Sequence, residues 1–383
     1  MHRLRPGNKL YKHTAKHRIP TVANDAPDNP TQSLKGRGAT SNLAGRFVDQ
    51  VSSRESDGWE TLLEPQERIE TVAIEEKAKS IIATNNSPDI PFTQSINAYR
   101  GCEHGCVYCY ARPAHAYMDL SPGLDFETRL FYKPNAVELL ESALRKKSYR
   151  CSPIAMGTNT DPYQPLEKDK QITRRILETL QRYRHPVTLV TKSQLILRDL
   201  PILAEMARDN LVHVGISVTT LDHELKRRLE PRTAGPAARL RTIEALANAG
   251  IPAAVMAAPM IPALNDSELE QILTQAHGAG AIHAAYILLR LPYEVAPLFR
   301  QWLAEHYPER AQHVMSLVQQ SRGGKDNQTE FGQRQRGTGV FAQLLQQRFR
   351  ITCRKLGLNA RKLDLDCSQF TLPPQSGDQQ SLF

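Results

Sequence analysis

From Phe92 onward, short apolar runs alternate with stretches whose apolar residues recur every three to four positions. Strands covered on both faces read as near-continuous apolar runs, and helices laid on a sheet bury one stripe, so the alternation predicts βα units and a parallel sheet. The runs at Ser95–Tyr99, Ile154–Gly157, Val187–Thr191, Val212–Val218, Ala253–Met260 and Ala284–Leu289 read as strands. Ala136–Lys147, Gln171–Tyr183, Ala237–Ala249 and Ser267–Gly278 carry helical spacing between them. After Pro292 the spacing is helical through Phe349, and an irregular tail follows. The first ninety residues are rich in Pro, Gly, Asn, Ser and Thr, and Gly36-Arg37-Gly38 has no periodic neighbour, so this part reads as largely irregular with order beginning near Ile69. The chain thus divides into an irregular extension (1–90), an α/β unit (91–291), a helical region (292–372) and a disordered tail (373–383).

Composition adds two constraints. A chain of 383 residues with 40% hydrophobic content supports one large domain with terminal additions. The longest apolar stretch, Ile251–Leu264, is interrupted by Pro252, Pro259 and Pro262, so no membrane span is expected. The net charge of +9 is uneven: residues 1–46 carry nine Lys and Arg against Asp25 and Asp28, and Arg322–Lys362 is similarly basic. Basic flanks attract phosphate backbones through counterion release, which makes nucleic acid the leading polymeric partner, with solvated tails as the alternative.

Candidate chemistry concentrates in Tyr99-Arg100-Gly101-Cys102-Glu103-His104-Gly105-Cys106-Val107-Tyr108-Cys109-Tyr110. Cys102, Cys106 and Cys109 are three thiols on one tight loop. A [4Fe–4S] cube is normally saturated by four thiolates, so three leave one iron open to a ligand. Two alternatives stand beside it: a zinc site completed by His104 or His115, and a disulfide framework, against which the scatter of Cys151, Cys353 and Cys367 and the lack of a signal-peptide pattern count.

The spacing C-x-x-x-C-x-Φ-C, with Tyr108 at Φ, resembles the signature of the radical S-adenosylmethionine superfamily. That resemblance implies a partial (β/α)6 barrel, with the irregular basic extension before it and the mostly helical region after it. It also implies a [4Fe–4S] cluster on the three cysteines, S-adenosyl-L-methionine on the open iron, a 5′-deoxyadenosyl radical, and an electron donor such as flavodoxin or ferredoxin. A cytoplasmic location follows from reduced thiols and the lack of a signal-peptide pattern. In parallel barrels, reactive groups gather on loops at the carboxyl ends of strands. The cysteine loop satisfies that test, as do Asn159 and Asp161 after the second strand, Lys192 after the third and Ser217 at the end of the fourth. Asn and Asp before proline also make ordinary turns. Lys192 would need a counter-charge if it faced the barrel mouth.

A narrower resemblance spans about residues 95–275. Tyr108-Cys109-Tyr110, Thr191-Lys192, Ser217, Leu229-Glu230-Pro231 with Pro236 and Arg239, and Ala258-Pro259 are similar to spore photoproduct lyase, a DNA-repair enzyme that uses an adenosyl radical. The likeness implies that Lys192 and Ser217 hold the cofactor, with Tyr108 and Arg239 in the same set, and that Tyr108 and Tyr110 relay a radical. One departure counts against identity: the lyase's hydrogen-donating cysteine lies where this chain has Thr158, and Cys151 precedes the strand. The expectation is therefore a lyase-like relative with a different substrate. Three functions stay open: a radical enzyme acting on DNA, one modifying RNA or protein, and a non-catalytic iron–sulfur protein that binds nucleic acid. Finally, Gln379-Gln380-Ser381-Leu382-Phe383 resembles the peptide that binds the bacterial sliding clamp, although Gln380 replaces the usual leucine; a chance pentapeptide is the alternative.

Overall fold

The computed structural model describes residues 36–47 and 69–374. Ten strands form two sheets. They are β1 (Val72–Glu75), β2 (Ile82–Thr84), β3 (Gln94–Ile96), β4 (Tyr99–Arg100), β5 (Arg129–Tyr132), β6 (Ile154–Met156), β7 (Val187–Thr191), β8 (Val212–Ser217), β9 (Ala253–Met260) and β10 (His283–Leu288). In the larger sheet the order is β10-β9-β8-β7-β6-β3-β2. All its pairs are parallel except β2 with β3, so six consecutive parallel strands build a partial (β/α)6 barrel whose free edge is β10. The smaller sheet, β1-β5-β4, stands beside its first strand.

The helices are α1 (Asp125–Thr128), α2 (Ala136–Leu144), α3 (Glu167–Lys170), α4 (Ile172–Arg182), α5 (Leu200–Arg208), α6 (His223–Leu229), α7 (Pro236–Asn248), α8 (Leu269–Gly278), α9 (Val295–His306), α10 (Pro308–Gln320) and α11 (Gly339–Leu356). Each central helix turns one stripe to the sheet: in α4, Ile172, Ile176, Leu177 and Leu180 are buried at the helical repeat. Pro236 opens α7 at its first turn, where a missing N–H costs nothing. No helix among the described residues is long and apolar enough to cross a membrane.

The six strands read from the apolar runs all occur, with one correction. The run Ser95–Tyr99 is not one strand: β3 ends at Ile96 and Tyr99–Arg100 pairs antiparallel with β5. Asn97 makes the break, because its side chain binds Thr158 Oγ1 (3.0 Å) and the Asn159 N–H (2.9 Å) while its carbonyl accepts Lys133 Nζ (2.9 Å). The helical reading of 292–349 is also interrupted. Residues 321–338 form a turn-rich loop in which Gly337 (φ 76°) lies so close to β10 that a Cβ would sit 2.6 Å from Leu288 Cδ2. Inside the extension, β1 and β2 are ordered strands, and Ala39 is buried with Leu124 and Leu298.

Candidate active site

The cysteine loop follows β4, just beyond the first barrel strand β3, and is shaped by two glycines. Gly101 (φ 76°) and Gly105 (φ 68°) occupy the left-handed region, and a Cβ on Gly105 would meet Glu127 Oε2 at 2.6 Å. The Cys102 N–H donates to the Phe126 carbonyl (3.0 Å), Val107 N–H to Leu229 (3.1 Å) and Cys109 N–H to Cys106 (3.2 Å). Behind the loop, fully buried Arg112 donates to the carbonyls of Cys106 (2.9 Å), Gly105 (3.2 Å), Pro122 (3.0 Å) and Gly123 (2.8 Å), and pairs with buried Glu127 at 2.5 Å. Glu127 accepts the N–H groups of Gly38 (3.0 Å) and Ala39 (2.8 Å), so a segment with no periodic pattern is held against the loop by a buried carboxylate. A buried pair with every remaining donor and acceptor met fixes geometry more than it adds stability.

The next two strands brace the loop from above. Gln164 accepts the Glu103 N–H (2.9 Å) and donates to the Gly101 carbonyl (3.3 Å), which also accepts the Thr160 hydroxyl (2.7 Å). Asp161 Oδ2 takes His104 Nδ1 (3.3 Å) and the Lys192 N–H (2.9 Å); Oδ1 takes the Tyr163 N–H (2.9 Å) and the Thr191 hydroxyl (2.6 Å). Burial alone would raise the Asp161 pKa, but His104 and these hydrogen bonds hold it below the usual carboxylate range. Both oxygens of Asp161 are engaged by the scaffold, so that it clamps the cysteine loop to β7.

Arg239 is braced in the same way. Its guanidinium is buried and donates to the carbonyls of Ser217 (3.0 Å) and Ala234 (2.9 Å), to Thr233 Oγ1 (2.6 Å) and to Glu230. Glu230 stands in the Leu229-Glu230-Pro231 run that carries the lyase resemblance, but that run alone assigns it no role. It is fully buried and receives Arg239, the Tyr108 hydroxyl, Thr219 Oγ1 (2.6 Å) and, at 3.6 Å, Lys192 Nζ. Burial would push its pKa up, yet Arg239 and Lys192 hold it far below the usual range. The required counter-charge of Lys192 is therefore Glu230, and this need was the signal that could have found it. Tyr108 is buried and pinned to that carboxylate, with Lys192 Nζ 5.9 Å from its ring centroid.

Other candidates stand at the rim. Asn159 is exposed and held by its main chain alone. Ser217 ends β8 with its carbonyl on Arg239. Tyr110 is 49% exposed, its hydroxyl donates to the Thr158 carbonyl, and Arg290 lies 6.0 Å from its ring. Cys151 precedes β6, at the far end of that strand from the loop. The clamp-like Gln379–Phe383 lies outside the described residues.

Burial, with Asp161 and the other thiols, pushes the Cys102 thiol well up; burial and Glu230 do so for Cys106, and burial for Cys109. Such thiols ionise only against strong local positive charge, which bound iron provides. Among the described residues no three His, Cys, Asp or Glu side chains converge tightly enough to hold one metal ion. His104 Nδ1 is held by Asp161 and His115 Nε2 by the Arg129 carbonyl, while the buried Nδ1 of His115 has no partner. Three thiols on one loop fit a cluster, in which each thiolate binds a different iron.

A parallel partial barrel with three cysteines on the loop beyond its first strand defines a protein of the radical S-adenosylmethionine type. The chain belongs to the Radical SAM superfamily, whose family model matches residues 96–276. An uncharacterized protein of Mycobacterium tuberculosis is 40% identical over 234 residues, covering 61% of this chain and 69% of the relative. One from Methanocaldococcus jannaschii is 28% identical over 242 residues, covering 63% of this chain and 85% of the relative. Among solved structures, spore photoproduct lyase complexed with dinucleoside spore photoproduct shares the fold at a TM-score of 0.53 and 14% identity, over 75% of this chain and 80% of that one.

Proposed function

We propose that this protein is a radical S-adenosylmethionine enzyme that acts on nucleic acid in the cytoplasm, and that it is not spore photoproduct lyase itself. The observation that carries the reading is the buried loop of three thiols joined, through Tyr108 and Glu230, to Lys192 at the barrel mouth. Cys102, Cys106 and Cys109 would hold a [4Fe–4S] cluster and leave one iron for S-adenosyl-L-methionine. When bound and reduced by one electron, that pair supplies a carbon-centred radical able to take a hydrogen atom from substrate. A flavodoxin or ferredoxin is the donor class that fits.

The protein's own groups position and shield. Lys192 offers a cation to the cofactor carboxylate while Glu230 fixes its place, and Ser217 and the free side chain of Asn159 offer hydrogen bonds from neighbouring strand ends. Asp161 and Arg239 act one step removed, as braces. Tyr110 stands at the rim beside Thr158, where the lyase resemblance leads one to expect a hydrogen-donating cysteine. With threonine there, the substrate radical needs a different partner, which supports a reaction other than the lyase's. The basic flanks, the lyase-like fold and the clamp-like tail support DNA as the nucleic acid, with the sliding clamp as a partner.

Deuterium tracing tests this. Anaerobic, reconstituted and reduced protein is incubated with perdeuterated DNA, RNA or cell protein, and 5′-deoxyadenosine is analysed by mass spectrometry. Deuterium from DNA is expected. Deuterium from RNA or protein alone would reassign the substrate, and none from any of them would overturn the nucleic-acid reading.

A further inference from the structure

We infer that the open edge of the barrel carries a second binding site, a furrow between β10 and α11 that holds the phosphodiester backbone of a nucleic-acid single strand. The furrow begins as a cleft of about 460 Å³ lined by Ala284, Tyr286, Arg336, Gln346, Phe349 and Arg350. It continues as a second of about 410 Å³ along α11, where Gln346 and Arg350 recur and Arg354 follows. Arg350 and Arg354 lie one helical turn apart, about 6 Å along the axis. Neither they nor Arg336 has an ion-pair partner among the described residues, whereas Arg348 on the same helix is taken by Glu270 at 2.6 Å. Three exposed guanidinium groups with no carboxylate among the lining residues favour an anion with repeated charges.

An independent feature points the same way. Tyr286 is only 8% exposed, yet its hydroxyl has no hydrogen-bond partner, and a buried polar group left unmet is rare enough to need an explanation. Its ring meets Phe349 at 4.8 Å in the cleft wall. Burial pushes the hydroxyl above its ordinary pKa while the nearby Arg336 opposes, so it stays a neutral donor. Along the same strand edge, Ala284 is capped through N–H and C=O by the Asn359 amide (2.9 Å each), and Leu288 N–H by the Gln335 carbonyl (2.9 Å). Tyr286 lies between the two caps; its hydroxyl is shielded as the wall stands, and a phosphate held by the neighbouring guanidinium groups would draw it out as a donor. Amide side chains and a paired aromatic surface complete a track suited to sugar, phosphate and base.

The site deepens the nucleic-acid reading above without using the cysteine loop, and the test separates the two. Binding of a fluorescein-labelled DNA single strand is followed by anisotropy over a salt series, for wild type, R336Q/R350Q/R354Q, and a charge-matched control, K146Q/K147Q/K168Q, drawn from exposed lysines elsewhere. Wild type and control are expected to bind alike. The arginine variant should bind at least about tenfold more weakly, with its salt slope reduced by about 2, three single-strand contacts at roughly 0.7 each. Y286F should bind several-fold more weakly while melting no lower than wild type, because it removes a hydroxyl that has no internal partner. Equal binding by arginine variant and wild type would overturn the furrow and leave the enzyme reading standing. No binding by wild type would overturn both, and displacement of the strand by polyglutamate at equal charge concentration would reduce the furrow to a generic polyanion surface.

Discussion

The cysteine loop and the β10 edge lie on one barrel but treat buried polar groups oppositely. At the loop, Arg112, Glu127, Asp161, Glu230 and Arg239 are all buried or nearly so, and each is matched by charge and hydrogen bond, the buried Nδ1 of His115 beside them being the exception. At the edge, Tyr286, Arg290, Ser321, Arg322, Asn327, Gln328 and Gln335 each keep a buried polar atom without a partner. Arg322 shows the contrast with Arg112 most directly. Both are buried guanidinium groups on main-chain carbonyls, but Arg322 holds those of Leu288, Leu289, Gln333 and Arg334 with no carboxylate among its hydrogen-bond partners, and burial, aided by Arg290, pushes its pKa down to about 10. A satisfied network is a finished scaffold that must not move when a reactive group is carried on it.

Replacing any one of Cys102, Cys106 or Cys109 by alanine gives the largest effect, a loss of roughly four irons per chain and of all cofactor cleavage. Alanine at Cys151, Cys353 or Cys367 should change neither, as iron analysis will show. Next, Arg112→Met strands the Glu127 carboxylate in the interior and should cost about 3–5 kcal/mol in denaturant unfolding. Arg322→Met leaves only carbonyls behind and should cost about 1–3 kcal/mol; equal losses would erase the contrast between the two regions. Acid should act through buried neutral histidines. His213, with its Nε2 unpartnered and the ring of His283 5.9 Å away, has its pKa lowered by burial from 6.5 to about 4. The unfolded chain then binds the proton more readily, so stability present above pH 6.5 is lost as pH falls toward 4, by on the order of 1 kcal/mol. His213→Gln should flatten that part of the pH profile. The smallest effects compare two buried tyrosines: Tyr108→Phe removes a donor to Glu230 and should cost about 1 kcal/mol or more, whereas Tyr286→Phe should be neutral to slightly stabilising.

Much of the barrel was legible because its strands and helices bury apolar stripes of different period. β7 and β9 match the apolar runs residue for residue. Elements held by tertiary contacts were not: β1 and β5 pair 57 residues apart in register, Val72 with Arg129, and neither has an alternating pattern of its own. At the site, three cysteines at fixed spacing announce themselves, and Lys192 announced a missing anion. Asp161 was visible as a polar residue near a strand end and Arg239 only through the lyase resemblance, but their role depends on which atoms they meet. That is set by the folded geometry and has no trace in spacing. Glu127 was invisible for the same reason, since its partners Gly38 and Ala39 lie far off in the chain.

The central claim is that this loop carries a cluster with one iron open to S-adenosyl-L-methionine. Its most direct measurement is electron paramagnetic resonance of the anaerobically reconstituted, reduced protein before and after S-adenosyl-L-methionine is added, with 5′-deoxyadenosine quantified in the same sample. A cluster signal that shifts on addition, accompanied by 5′-deoxyadenosine, is the predicted result. A protein that binds one zinc and gives neither signal nor product would contradict the account.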